Sequence, residues 1–166
     1  MKRLKIVVLR LDRAGKTVLV NYLISKKVET QFRPTLTFSI KRLKLSDRTI
    51  VFWDAPGQKN LRGTWMDSLK KADCLIYLVD VGDLDRLNES VHEFHQIAQN
   101  VDSLDIPLIF CYHKVDLPYI EENLEECKKA FDLEGLYNGK IFQLNTSVHN
   151  SDSISAVEEI LLTFDQ

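Results

Sequence analysis

The chain is 166 residues long and 45% hydrophobic, and it carries 22 Lys and Arg against 24 Asp and Glu, a formal net charge of -2. One domain with a proper core fits that length, and a second has no room. The near-neutral balance excludes a polycation built for nucleic acid, and acidic runs such as EENLEE, Glu121 to Glu126, read as a solvated helix face.

Apolar runs alternate with helix-period stretches from end to end, which predicts an α/β sandwich. LKIVVLRL (Leu4 to Leu11) is the first predicted strand, and KTVLVNYLISKK from Lys16 is a helix that opens directly after Gly15. FSIKRLKL (Phe38 to Leu45) and TIVFWD (Thr49 to Asp54) are short alternating runs joined by Ser46, Asp47 and Arg48, which predicts a hairpin and an antiparallel edge strand. DCLIYLVD (Asp73 to Asp80) and PLIFCYH (Pro107 to His113) are the near-continuous apolar runs of strands buried on both faces, and KIFQLNTS (Lys140 to Ser147) is a sixth strand. Leu87, Val91, Phe94, Ala98 and Val101 mark the apolar face of one helix, Leu124, Cys127 and Phe131 a second, and Ile154, Val157, Ile160, Leu161 and Phe164 a third. The expected architecture is a six-stranded, mostly parallel sheet with one antiparallel edge strand and about five flanking helices, with ligand loops at the carboxyl ends of the strands.

Cys74, Cys111 and Cys127 are odd in number and lack CxxC spacing, which suits a reducing compartment better than a disulfide framework or a zinc site. The longest apolar run, CLIYLV from Cys74 to Val79, is too short to span a bilayer. No secretory signal, myristoylation glycine or prenylatable cysteine is visible, so the expectation is a cytosolic protein that meets membranes only through partners. His92 and His95 stand three apart on a predicted helix without a third ligand, and read as a polar face.

The chemistry begins at RLDRAGKT, Arg10 to Thr17, which fits the phosphate-loop pattern GxxxxGK[ST] except that Arg10 replaces the leading glycine. Ala14 and Gly15 can bring backbone N–H groups to the phosphates, Lys16 can place its ammonium on the β and γ groups, and Thr17 can ligate Mg2+. WDAPGQ, Trp53 to Gln58, ends another strand. It supplies Asp54 to hold a magnesium-bound water, Gly57 to meet a γ-phosphate and Gln58 to orient an attacking water. HKVD, His113 to Asp116, ends a third strand; there the Asp116 carboxylate can accept N1–H and N2–H2 of guanine while the Lys114 stem covers the ring. TSV, Thr146 to Val148, offers a backbone N–H to guanine O6, and adenine lacks both features. Thr35, nineteen positions after Lys16 in the loop before the hairpin, can complete the magnesium shell and touch the γ-phosphate.

Arg10 admits three readings: a tolerated substitution whose side chain bends towards solvent, an arginine, Arg10 or Arg13, that reaches the γ-phosphate or the loop after Asp54, or a damaged loop. Pro56 removes one N–H beside the γ-phosphate and stiffens that loop. Trp65, Met66 and Leu61 are open to either burial or partner contact.

Together these stretches make the whole chain resemble a small GTPase of the Ras superfamily, a P-loop small G domain with affinities to the Arf and Rag (Gtr) branches. RLDRAGKT, PTLTF and WDAPGQ are similar to the Arf pattern, while Pro56 and the histidine of HKVD resemble Rag proteins. The resemblance implies a single G domain over residues 1–166 without a roadblock domain. It assigns the phosphates to Asp12, Arg13, Ala14, Gly15, Lys16 and Thr17, magnesium to Thr17, Thr35 and, through water, Asp54, and the γ-phosphate to Gly57. It places guanine at His113, Lys114, Asp116 and Val148, with Val18, Leu117 and Ser147 completing the nucleotide site, and makes Gln58 the catalytic residue. Phe38 and Trp53 match two aromatics of the Arf effector patch, while the third falls on Ser68.

The function this implies is a switch that binds GTP or GDP with Mg2+ and hydrolyses GTP slowly, read by protein effectors and regulators, among them another GTPase or roadblock-type proteins. The alternative is a guanine-nucleotide-binding scaffold subunit with little or no hydrolysis. A P-loop ATPase or kinase is disfavoured by HKVD and TSV.

Overall fold

The computed structural model describes residues 2–11, 16–28 and 37–164, apart from the side chains of Lys2, Lys16, Thr17 and Leu61. Six strands form one sheet: β1 (Lys2–Leu9), β2 (Ser39–Leu45), β3 (Arg48–Asp54), β4 (Cys74–Asp80), β5 (Leu108–His113) and β6 (Ile141–Thr146). Their order is β2-β3-β1-β4-β5-β6, parallel throughout except for the antiparallel β2–β3 pair at one edge. The helices are α1 (Lys16–Ser25), α2 (Trp65–Leu69), α3 (Leu87–Ser103), α4 (Glu121–Phe131), the single turn α5 (Leu133–Leu136) and α6 (Ser151–Thr163).

Alternation fixes which side of the sheet each residue serves. Leu4, Ile6 and Val8 of β1 join Ile50, Phe52, Ile76, Ile109 and Cys111 under Leu19 and Leu23 of α1 and Ile154, Val157 and Leu161 of α6. Val7 and Leu9 join Leu75, Tyr77, Phe110 and Tyr112 under Trp65, Phe94, Ile97, Val101, Cys127 and Phe131 on the other side. β4 and β5 are buried almost throughout because helices cover both faces, as their unbroken apolar runs require. Phe110 packs edge-on to Phe131 at 4.8 Å and to Phe94 at 5.2 Å between ring centroids, which anchors the last turns of β5 below the site.

The β2–β3 connection is tighter than expected: Arg48 already belongs to β3, and Ser46 and Asp47 alone make the turn, with Ser46 at φ 58°. A serine there accepts the left-handed conformation that two-residue hairpins demand. On α3 the buried set includes Ile97, which the predicted face omits, while Val91 is only partly buried. α6 opens on Asn150, whose side-chain oxygen accepts from the Ser153 N–H at 3.3 Å.

All three cysteines are free and buried. Burial pushes the Cys111 thiol up to about 12 and the Cys127 thiol up to about 11, so neither is a nucleophile in the folded protein. No helix of the described residues is long and apolar enough to cross a membrane.

Candidate functional site

Every parallel strand delivers a polar residue to the same end of the sheet: Arg10 just after β1, Asp54 on β3, Asp80 on β4, His113 on β5 and Thr146 on β6. Ligands of open α/β sheets bind at this end, where the order reverses around β1.

The phosphate side is partly described. Asp12, Arg13, Ala14, Gly15 and Thr35 lie outside the described residues, as do the side chains of Lys16 and Thr17. The backbone of α1 begins at Lys16, and Val18 is buried in its first turn, so a helix N-terminus does follow the loop. Asp54 is completely buried at the end of β3. With the hydroxyls of Thr17 and Thr35, which the resemblance assigns to the metal, its carboxylate would make an all-oxygen donor set of the kind that suits a hard cation such as Mg2+. Among the described residues no group of three His, Cys, Asp or Glu could hold a metal.

Arg10 does not bend to solvent. It is 8% exposed, and its guanidinium donates to the Leu11 carbonyl at 2.6 Å and lies close enough to His113 to act on its charge. Its φ is not in the left-handed region, so the position demands no glycine on conformational grounds. The buried arginine turns towards the end of β5.

After Asp54 the chain is clamped. Pro56 and Gly57 are buried and Gln58 is half-buried with extended backbone at φ -67° and ψ 138°. The Pro56 carbonyl accepts from Trp65 Nε1 at 2.8 Å, and the Gly57 carbonyl accepts from Arg62 Nε at 2.9 Å. Arg62 is itself buried, its Nη1 paired with Glu89 at 2.8 Å and Glu93 at 3.1 Å on α3. Trp65 is 1% exposed and therefore structural, while Met66 packs half-buried against the core. Phe38 and Trp53 meet edge-on at 6.3 Å, and Ser68 is buried, its hydroxyl donating to the Trp65 carbonyl.

The segments HKVD and TSV are described throughout. β5 and β6 pair His113 with Thr146 in register, and the imidazole Nδ1 lies 2.9 Å from Thr146 Oγ1. Lys114 takes a left-handed φ of 69°, the kind of strain that concentrates at functional sites, and its ammonium pairs with Asp80 at 2.5 Å. Asp116 is exposed and accepts the Ser147 hydroxyl at 2.5 Å. Partial burial works to raise its carboxyl, but the Ser147 hydroxyl, its own backbone N–H and the nearby His149 and His113 outweigh that, and the net shift is downward. An open, ionised acceptor results. Ser147 is held by Ser153, which accepts its N–H at 3.0 Å, while Val148 is buried beside it. Leu117 lies over Gly82, where any Cβ would come within 2.6 Å of its Cδ1.

His113 is 2% exposed, and burial first, then Lys114, pushes it down to about 4, with Arg10 adding and Asp80 and Asp116 opposing. A base depressed in the folded state binds fewer protons there than when unfolded. Stability is therefore full near neutrality and falls as pH drops from about 6.5 towards about 4, by up to about 3 kcal/mol. His113→Asn keeps a donor and an acceptor without titrating. Urea unfolding between those pH values is expected to show a flatter pH dependence in the variant, and identical slopes would refute the assignment.

Asp80, Arg62, Glu89 and Glu93 are further residues of the candidate site that motif reading did not assign, and the Thr146 side chain joins them from within TSV. A sequence signal exists for Asp80, which closes its apolar strand as Asp54 closes β3, and for Glu89 and Glu93, which stand one helical turn apart.

The ADP-ribosylation factor family profile matches residues 1–163. The chain is 39% identical over 121 residues to human ADP-ribosylation factor-like protein 4C, covering 69% of this chain and 62% of that protein. It is 36% identical over 113 residues to ADP-ribosylation factor-like protein 3 of Chlamydomonas reinhardtii, covering 68% and 63%. Against both of these relatives the chain thus spans less than two thirds of their length. The Arl6 BBS3 small GTPase from Trypanosoma brucei, solved with the bound nucleotide analogue GppNp, superposes with a TM-score of 0.79 at 20% identity, covering 96% of this chain and 97% of that one. With the sheet order, the clamped WDAPGQ segment and the Asp116–Ser147 base side already in place, the chain belongs to the ADP-ribosylation factor family of small GTPases.

Proposed function

We propose that the protein is a guanine-nucleotide switch that binds GTP or GDP with Mg2+ and hydrolyses GTP slowly. The observation that carries this reading is the exposed, ionised Asp116, held by Ser147 between the ends of β5 and β6. Its two carboxylate oxygens suit the paired N1–H and N2–H2 donors of guanine and no edge of adenine. The buried Asp54, with Thr17 and Thr35, would hold the metal, whose chemistry when bound is to neutralise phosphate charge. Gln58, next to the anchored Gly57, orients the attacking water, and the loops around Thr35 and Gly57 are what partners read.

A second reading, a guanine-nucleotide-binding subunit that scarcely turns over, draws on the clamp itself. Pro56 has no N–H to offer, and the carbonyls of Pro56 and Gly57 are both engaged from the following turn.

The test is to denature the purified protein mildly and separate what it releases by ion exchange, then to follow single-turnover hydrolysis of GTP. Near-stoichiometric guanine nucleotide is expected, and its absence overturns the proposal. Gln58→Leu is expected to slow hydrolysis on the order of tenfold or more while leaving binding intact. No phosphate release over hours from the wild-type protein, with GTP firmly bound, would favour the second reading.

A further inference from the structure

Leu117, Pro118 and Tyr119 lie in the connection from β5 to α4, and all three are exposed. Three consecutive apolar residues in solvent are a fault in a folded chain unless something uses them. Tyr119 is the extreme case: it is 93% exposed, and its φ of 60° lies in the left-handed region. A proline followed by a positive φ is the pattern of a tight turn in which glycine or asparagine fits best after the proline. A tyrosine there strains the backbone, and a ring left almost wholly in water returns no burial for that strain. Folding alone would select a different residue.

The turn is nevertheless held firmly at both ends. Leu117 donates its N–H to the Lys114 carbonyl at 3.3 Å, Ile120 is buried in the core, and Asn123 of α4 donates to the Val81 carbonyl at 3.1 Å. A ring presented on a fixed support is ordered before any partner arrives, which lowers the entropic cost of docking. Its surroundings set the charge of that partner. Glu121 and Glu122 follow at the start of α4, and Asp85 is exposed three residues beyond Gly82, over which Leu117 lies. Lys114 and Lys128, the cations on either side in sequence, are already paired with Asp80 and Glu125.

We propose that this turn is the docking point for a basic segment of a partner protein, with an arginine stacked on the Tyr119 ring and further cations paired with Glu121, Glu122 and Asp85. Arginine suits the ring better than lysine, because its planar guanidinium stacks on an aromatic face while its edge still donates to a carboxylate. Apolar side chains of the segment fall on Leu117 and Pro118. Tyrosine and arginine are also the residues that dominate binding energy at protein interfaces. An anionic lipid surface or a nucleic acid would be repelled by the same three carboxylates. Tyr119 belongs to neither of the loops around Thr35 and Gly57, so this contact is distinct from one that reads the nucleotide state.

Fluorescence anisotropy of a labelled arginine–leucine peptide tests this on the full chain. Binding should saturate and weaken as salt rises. Tyr119→Asn suits the turn and removes the ring, so it should bind at least about fivefold more weakly while its urea midpoint stays at or above that of the wild type. Y119F should bind as wild type, E121Q/E122Q should lose affinity as Y119N does, and the matching lysine–leucine peptide should bind less tightly than the arginine one. E159Q on α6 should change nothing. Affinity unchanged in Y119N, an equal loss in E159Q, or a urea midpoint clearly lowered by Y119N would each overturn the proposal. None of these readings involves nucleotide, so this test and that of the switch fail separately.

Discussion

Asp116→Asn is expected to weaken GTP by about a hundred- to a thousandfold, because two charge-assisted hydrogen bonds to guanine, each worth about 1.5–3 kcal/mol, become one neutral bond and one clash of donors. The same change should raise the affinity for xanthosine triphosphate, whose C2 oxygen accepts from the new amide while N1–H still donates to the remaining oxygen. Asp116 is exposed and its oxygen can still accept the Ser147 hydroxyl after the substitution, so the fold should be untouched. Competition between labelled nucleotides reads both numbers in one experiment. GTP affinity that survives the change would remove guanine recognition from HKVD.

Truncation of Arg62 carries the other large effect. Its side chain is 4% exposed, with Glu89 at 2.8 Å, Glu93 at 3.1 Å and the Gly57 carbonyl at 2.9 Å. Arg62→Ala leaves two carboxylates one turn apart on α3 and frees the Gly57 carbonyl, at a cost of about 2–4 kcal/mol. Arg86 softens the loss, since its bonds are the main reason Glu89 is held down at about 2, against partial burial, with Arg62 second. Urea unfolding should show the drop as a lower midpoint with unchanged slope. Trypsin should also cut faster at Lys59, which starts the turn that Arg62 ties down. A midpoint shift worth less than about 0.5 kcal/mol would make the clamp an incidental surface pair.

Strands and helices were legible because burial on two faces writes unbroken apolar runs into β4 and β5, and half-burial writes alternation into β2. The base side was legible for the same local reason: Lys114, Asp116, Ser147 and Val148 sit in two short segments that the β5–β6 pairing brings together. The clamp was not, because an arginine is buried only when partners reach it, and those of Arg62 lie 27 and 31 residues away on α3. Arg10 escaped the expectation of a solvated side chain likewise, since its surroundings at the ends of β1 and β5 are assembled by strand order, and strand order leaves no mark on neighbouring residues. The Lys114–Asp80 pair is a further tertiary product, joining two strand ends 34 residues apart.

The three sequestered thiols give the folded chain internal clocks. Cys74 lies in β4, Cys111 in β5 and Cys127 in α4, and burial holds each in its unreactive form. A maleimide can reach any of them only while the element around it is open, so each labelling rate counts openings of one place. Cys111 stands two residues before His113, and Cys127 lies on the helix that packs beside α3. The order in which the three sulfurs are trapped, with and without nucleotide, would therefore time the breathing of the sheet centre, the base side and the outer helical layer within one molecule.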